Sequence, residues 1–295
     1  MGIFFIAALI LGLCLSIMGL GIFISMKIFN IPDITTDGSY TFGAVITAIL
    51  LTQNVSIFYI IPASIIGGAF AGMLTGIVFT KLKIDALLAG ILIMTAFYSI
   101  NLGILGRSNI PLLETKNIFK LNIIKFQNIS LTETVNPLII CSFIVVVIIS
   151  FLAYFLKTDY GLTMRATGNN ENMVKALGIN PNTIKIAGLA IANSCTAFAG
   201  FLVVQYQNFV DINMGIGIVI TGLGSVLIAD ALIKWFSITS ILIQLIFVVV
   251  GSIIFQFILA ITLSLGIDAT YLKLVTALFV LLIVAITKFK KTVKA

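Results

Sequence analysis

Long apolar runs fill this chain and are separated by short polar breaks. The runs are too long, and too free of alternation, for the strands of a membrane barrel. Measured against a span of about 20 residues, they predict nine membrane-crossing helices. These lie near residues 2–26, 28–52, 57–80, 84–105, 136–156, 184–204, 212–232, 236–259 and 271–287. Two polar stretches interrupt them at length, an outer loop at 106–135 and a break at 157–183. Residues 1–295 therefore read as one all-α transmembrane domain, and the start reads as a retained first span because it lacks a basic leader and a small-residue cleavage site.

The second run is the least regular. Phe29-Asn-Ile-Pro-Asp-Ile-Thr-Thr-Asp-Gly-Ser39 precedes an apolar stretch, 40–52, too short to cross as a straight helix. Two readings stand: a span broken at Pro32 and Gly38, its free backbone groups facing protein or a water-filled cavity, or a cytoplasmic loop before a tilted helix. Asn30-x-x-Asp33-Ile34, with Gly43 beyond, is echoed by Asn208-x-x-Asp211-Ile212, with Gly222 beyond. Entered from opposite sides, the two copies have the relation of an inverted repeat, although so few identities also arise by chance. Gly68, Gly72 and Gly76 form a ridge on which a neighbouring helix can approach closely.

In the break at 157–183, Asn170 caps a short helix and Glu171 suits its positive end, while Gly178 and Pro181 stop it. Met173, Val174 and Leu177 recur at helical spacing, which predicts one apolar face. About eight residues do not hold a helix alone in water, so this face calls for a partner to pack on.

Composition agrees: 60% of the 295 residues are hydrophobic and 9% charged, with mean hydropathy +1.23. The net charge of +7 is a topology signal and calls for no nucleic acid. With nine crossings and a cytoplasmic C-terminus, twelve of the 17 basic residues fall inside and five (Arg107, Lys116, Lys120, Lys125 and Lys273) outside, the sign expected of the positive-inside rule. The break at 157–183 is then cytoplasmic.

The chemistry is sparse. There is no histidine, and Cys14, Cys141 and Cys195 are isolated in apolar runs, so metal sites and disulfides are not expected. No phosphate loop of the G-x-x-x-x-G-K-[ST] kind occurs, and no catalytic residue or cofactor is expected. Asp230 with Lys234, and Asp85 with Lys81 or Lys83, read as local ion pairs. No carboxylate stands out near the middle of a span, which argues against a proton- or sodium-driven carrier. Candidates for a translocation path are Asp33, Thr35, Thr36, Asp37, Ser39 and Tyr40 at the broken span. Asn101, Asn193, Thr221 and Ser225 join them from later spans, and each also has the plainer role of bonding to neighbouring helices.

Three stretches then resemble one family. These are Phe29–Ala44 with its P-D-I-T-T-D-G-S-Y core, the break Gly161-x-x-x-Arg165-Ala-x-Gly168-x-Asn170 through Gly178, and Gly215-x-Gly-x-Val-Ile-Thr-Gly-Leu-Gly ending at Asp230. They are similar to permease subunits of bacterial ABC importers of the branched-chain amino acid and ribose group, nearest to tryptophan- and tyrosine-type permeases. Val174 departs from that pattern, where alanine is frequent, but stays apolar.

The resemblance implies a permease of the bacterial cytoplasmic membrane that carries a small solute, an amino acid, with an aromatic one implied by the tryptophan- and tyrosine-type members. A cytoplasmic ATPase would dock on Arg165, Asn170, Glu171, Met173, Val174, Leu177 and Gly178. A second permease copy and an extracytoplasmic solute-binding protein would complete it. An ion-driven secondary carrier and a passive channel are the alternatives.

Overall fold

The computed structural model describes residues 2–120 and 129–292. Its helices are α1 (Gly2–Ile22, continued by a π-helical turn, Phe23–Ile28), α2 (Thr35–Thr52), α3 (Ile57–Lys81), α4 (Ala86–Leu105), α5 (Ile129–Lys157), α6 (Asp159–Asn169), α7 (Glu171–Ala176), α8 (Pro181–Gln207), α9 (Ile218–Trp235), α10 (Ile241–Ser264) and α11 (Leu272–Thr292). Two three-residue strands, β1 (Asn109–Pro111) and β2 (Phe209–Asp211), pair antiparallel.

Seven helices among the described residues are long and apolar enough to cross a membrane, against the nine expected from the runs. The difference lies in the second and ninth. The second run is broken: α1 continues to Ile28, residues 29–34 are irregular, and α2 begins with Thr35, Thr36, Asp37 and Ser39, all buried. Its polar start is enclosed by protein, which is where a broken span is tolerated. The apolar part of α11, Leu272–Ala285, is short. Lys125 of the outer loop and Lys294 of the tail lie outside the described residues, as do the side chains of Lys120 and Glu133.

The echo noticed in sequence corresponds to one backbone feature used twice. Asn30 and Asn208 both hold left-handed conformations, at φ 56 and 59, a region asparagine tolerates better than most residues. Each ends a long helix (α1 with its π turn, and α8) and starts an irregular segment leading to a shorter one (α2 and α9).

The packing repeats as well. Gly68, Gly72 and Gly76 of α3 lie against Asn193, Leu189 and Ile186 of α8, so these two run antiparallel. Gly12 and Gly19 of α1 lie against Ile253 and Ser252 of α10 in the same sense. A Cβ on Gly72 would fall on the Leu189 carbonyl and 2.9 Å from the Ala190 Cα. The two backbones touch, the close approach that small residues permit.

Candidate functional site

α2 begins with buried residues and α9 with partly buried ones, and helix N-termini leave unsatisfied N–H groups and a partial positive charge. Two carboxylates meet them. Asp33 accepts from the Thr35 backbone N–H at 2.9 Å, capping α2. Its other oxygen accepts from the Asn193 side-chain amide at 2.7 Å, half-way along α8. Ser39 donates to Asn193 Oδ1 at 2.7 Å. Asp37, in the first turn of α2, reaches across to α9, and its two oxygens accept from the backbone N–H groups of Gly217 and Val219, both at 2.8 Å. Both carboxylates are buried. The expectation that no carboxylate occupies the middle of the bundle is therefore wrong. Both were candidates for the path at the broken span, but a search of continuous apolar runs did not count them as carboxylates inside the bundle.

The other sequence candidates divide. Thr35 shares a hydroxyl contact of 2.7 Å with Thr75 of α3, and Thr36 bonds back to the Asp33 carbonyl. Tyr40 is buried, its carbonyl pressed against Gly200 of α8. Thr221 and Ser225 bond to carbonyls of their own helix, at Ile218 and Thr221, and do not join the junction. Asn101 on α4 does: its amide faces the Gly38 carbonyl at 3.4 Å, and its Oδ1 is buried without a protein donor. Asp37, Gly38, Thr41, Met94, Tyr98, Asn101, Ile212 and Ile216 surround a small void beside the junction. Met94 and Tyr98 escaped sequence reasoning because a Met or Tyr on an apolar helix carries no signal of its own. Gly215 and Gly217 were legible as part of a glycine-rich stretch. A Cβ on Gly215 would strike the Asp37 carbonyl and the Thr41 hydroxyl.

The irregular chain 208–217 is held from the outer-loop side. Around the β1–β2 ribbon, Leu112 N–H donates to the Asn208 carbonyl at 2.8 Å and Ile212 N–H to the Ser108 carbonyl at 2.9 Å. Asn117 bonds to Asn208 Oδ1 at 2.8 Å. The stretch 106–120 thus grips the segment that ends at Gly217.

At the other end, the break at 157–183 holds two helices where one was expected. α6 ends and α7 begins at Asn170, whose Oδ1 accepts from Met173 N–H at 3.1 Å. Gly178, at φ 79, follows the last turn. Val174 is buried, whereas Met173 and Leu177 are 49% and 68% exposed, so the expected single apolar face is divided between the bundle and solvent.

Glu171 ties α7 to α8 through Lys185 at 2.6 Å and pairs with Lys175 at 3.3 Å. The hydrogen bond from Lys185, with further help from Lys175, holds its carboxyl below the usual glutamate range. Lys185 in turn lies over the Phe79 ring of α3. Arg165 has a buried Nε without a protein acceptor. Gly168 packs on the Ile28 carbonyl, and Asn30 donates to the Gly168 carbonyl at 3.3 Å, so α6 leans on the break after α1.

The expected pairing of Asp230 with Lys234 is present and extends to Lys27, joining the ends of α1 and α9. Asp85 instead caps α4, accepting from Leu87 N–H at 2.9 Å. The thiols of Cys14 and Cys141 approach to 3.3 Å as free cysteines between α1 and α5.

A family model described as the permease component of branched-chain amino acid transport systems matches residues 4–286. The tyrosine transport system permease protein of Clostridioides difficile is 41% identical over 273 residues, covering 92% of this chain and 88% of that protein. The ribose import permease protein of Haemophilus influenzae is 26% identical over 58% of this chain and 51% of its own length. Among solved structures, an inward-facing metal-chelate type ABC transporter superposes with TM-score 0.51 and 14% identity, over 97% of this chain and 85% of that one. That likeness concerns the fold alone.

Proposed function

Since the chain belongs to the family of branched-chain amino acid transport permease components, we propose that it imports an amino acid with an aromatic side chain. As a multi-pass permease subunit of an ABC transporter it carries out no hydrolysis itself; the ATPase is a separate subunit. The observation that carries the substrate class is the 41% identity, over nearly the whole chain, to the tyrosine permease. Solute-binding protein, ATPase and a second permease copy complete the working unit of this reading.

The geometry supports a route for the ATPase's motion. α7 presents Met173 and Leu177 outward for docking, with Val174 beneath them and Gly178 ending the element. Glu171 passes a displacement of α7 to α8 through Lys185, and Gly168 passes one of α6 to the break at Asn30. Both routes end at the Asp33–Asn193–Ser39 junction. From the outer side, a solute-binding protein seated on 106–120 acts on Gly217 and Asp37 through the β ribbon. A junction reached from both faces is a place where alternating access is controlled. Asp33, Thr35, Thr36, Asp37, Ser39, Tyr40, Asn101 and Asn193 line or support it, while Thr221 and Ser225 serve α9 itself.

The test is uptake of tyrosine by the permease reconstituted with its ATPase and solute-binding protein. Met173→Asp with Leu177→Asp is expected to abolish ATPase co-purification and ATP-driven uptake together. Docking and uptake that survive the double substitution would refute the coupling route, and uptake driven by an ion gradient without ATP would refute the importer reading.

A further inference from the structure

We propose that the acceptor pair Asp37 and Asn101, beside the junction of α2 and α9, receives the ammonium group of the substrate during passage. This rests on the reading of the chain as an amino-acid importer. Asn101 is 1% exposed, and its Oδ1 has no donor from the protein. An unmade hydrogen bond of this kind is costly in a packed interior, so the orphan acceptor calls for a donor. The amide orientation is set by the Gly38 carbonyl, which accepts from Asn101 Nδ2. Turning the amide over would bring two acceptors together.

Asp37 lines the same void as Asn101. Each of its carboxylate oxygens takes one backbone N–H from the start of α9, leaving lone pairs for further donors. None of the ion pairs among the described residues includes Asp37. Charge favours a monocation. Asp37 stands at a helix N-terminus with Lys273 acting on it from a distance, and its remaining lone pairs suit a donor that carries positive charge.

The void is about 20 Å³, room for one group the size of a water or an ammonium head. Tyr98, 40% exposed, lines it together with Met94, Ile212 and Ile216. The aromatic face suits a cation, and the apolar groups suit a carbon skeleton behind it. An alkali cation would use the same acceptors, so the test separates the two.

The reconstituted transporter with ATPase and solute-binding protein is assayed for tyrosine uptake as wild type, Asn101→Leu and Asn101→Asp, with assembly checked by co-purification of the ATPase. Asn101→Leu removes the acceptor and is expected to lower uptake by about tenfold or more. Asn101→Asp keeps an acceptor but sets a second one against the Gly38 carbonyl, and is expected to lose clearly less uptake than Asn101→Leu. Equal loss in both variants would assign Asn101 a purely structural bond to Gly38 and overturn the proposal. So would unchanged uptake in Asn101→Leu, or wild-type uptake that requires sodium. Failure of wild-type uptake of every amino acid would instead sink the importer reading on which the proposal rests.

Discussion

Asn193→Ala tests whether the junction acts as a unit. The substitution removes the amide that donates to Asp33 at 2.7 Å and the carbonyl that accepts from Ser39 at 2.7 Å. A hydrogen bond to a charged group contributes about 1.5–3 kcal/mol and a neutral one about 1 kcal/mol. The expected destabilisation is thus about 2.5–4 kcal/mol. Bonds between transmembrane helices have averaged nearer 0.6 kcal/mol, but the Asp33 bond compensates a buried charge and belongs at the upper end.

Ser39→Ala alone orphans Asn193 Oδ1 and is expected to cost about 1 kcal/mol. In the Asn193→Ala background it is expected to cost almost nothing, because no Asn193 oxygen is left to orphan. In that background the Ser39 hydroxyl retains the Thr36 carbonyl at 3.3 Å as its acceptor. Unfolding of the four proteins by dodecyl sulfate titration in mixed micelles, followed by circular dichroism, gives the coupling energy directly. Costs that add to within about 0.3–0.5 kcal/mol would refute the claim that Ser39 and Asn193 share one network.

Three further outcomes follow from the packing and the charges. Glu171 has its carboxyl held below the ordinary glutamate range, so its contribution to docking α7 is intact above about pH 4.3 and is lost as pH falls through the depressed value. Hydrogen-exchange protection across residues 171–176, taken relative to the intrinsic rate at each pH, should therefore stay constant from neutral pH down to that point and fall below it, with Glu171→Gln removing the dependence. Gly72→Leu is expected to prevent α3 from packing on α8 and to yield aggregated protein on size exclusion. Gly103→Ala, where an added Cβ meets nothing within 4 Å, should leave the elution unchanged and strengthen α4 by about 0.5–1 kcal/mol.

Much of the architecture was legible from run length alone, because a span that faces lipid must be apolar along its whole length. Helices enclosed by protein escape that rule. α2 begins with five consecutive buried residues, Thr35 to Ser39, of which only Gly38 is without a polar side chain, and hydropathy does not report it. The glycine ridge of α3 was legible as a close-packing surface, but its partner on α8 was not, since contact across more than a hundred residues leaves no local pattern. The echo at Asn30 and Asn208 was legible for a physical reason, since both positions need the left-handed conformation that asparagine tolerates. Glu171 was legible as a helix-start residue. Its bond to Lys185, fourteen positions on, depends on α7 folding back against α8.

Asp33 and Asp37 also alter the case against ion coupling. A search for midplane carboxylates treats them as proton or sodium sites, yet here each is bound to the start of a helix by N–H groups that have no other partner in the bundle. Asp33 spends one oxygen on α2 and the other on Asn193, and Asp37 spends one bond from each oxygen on α9. Anions fixed in this way close two broken spans, and a proton delivered to either would weaken the cap that holds the helix start in place. Asp211, the counterpart of Asp33 in the second copy, accepts locally from Asn213 N–H at 2.7 Å and makes no such bridge. Its helix begins six residues beyond Ile212, whereas α2 begins one beyond Ile34, so the carboxylate of the second copy stays too far from α9 to cap it. Asp37 supplies that cap from the other half of the molecule, which makes the start of α9 answer to any movement of α2.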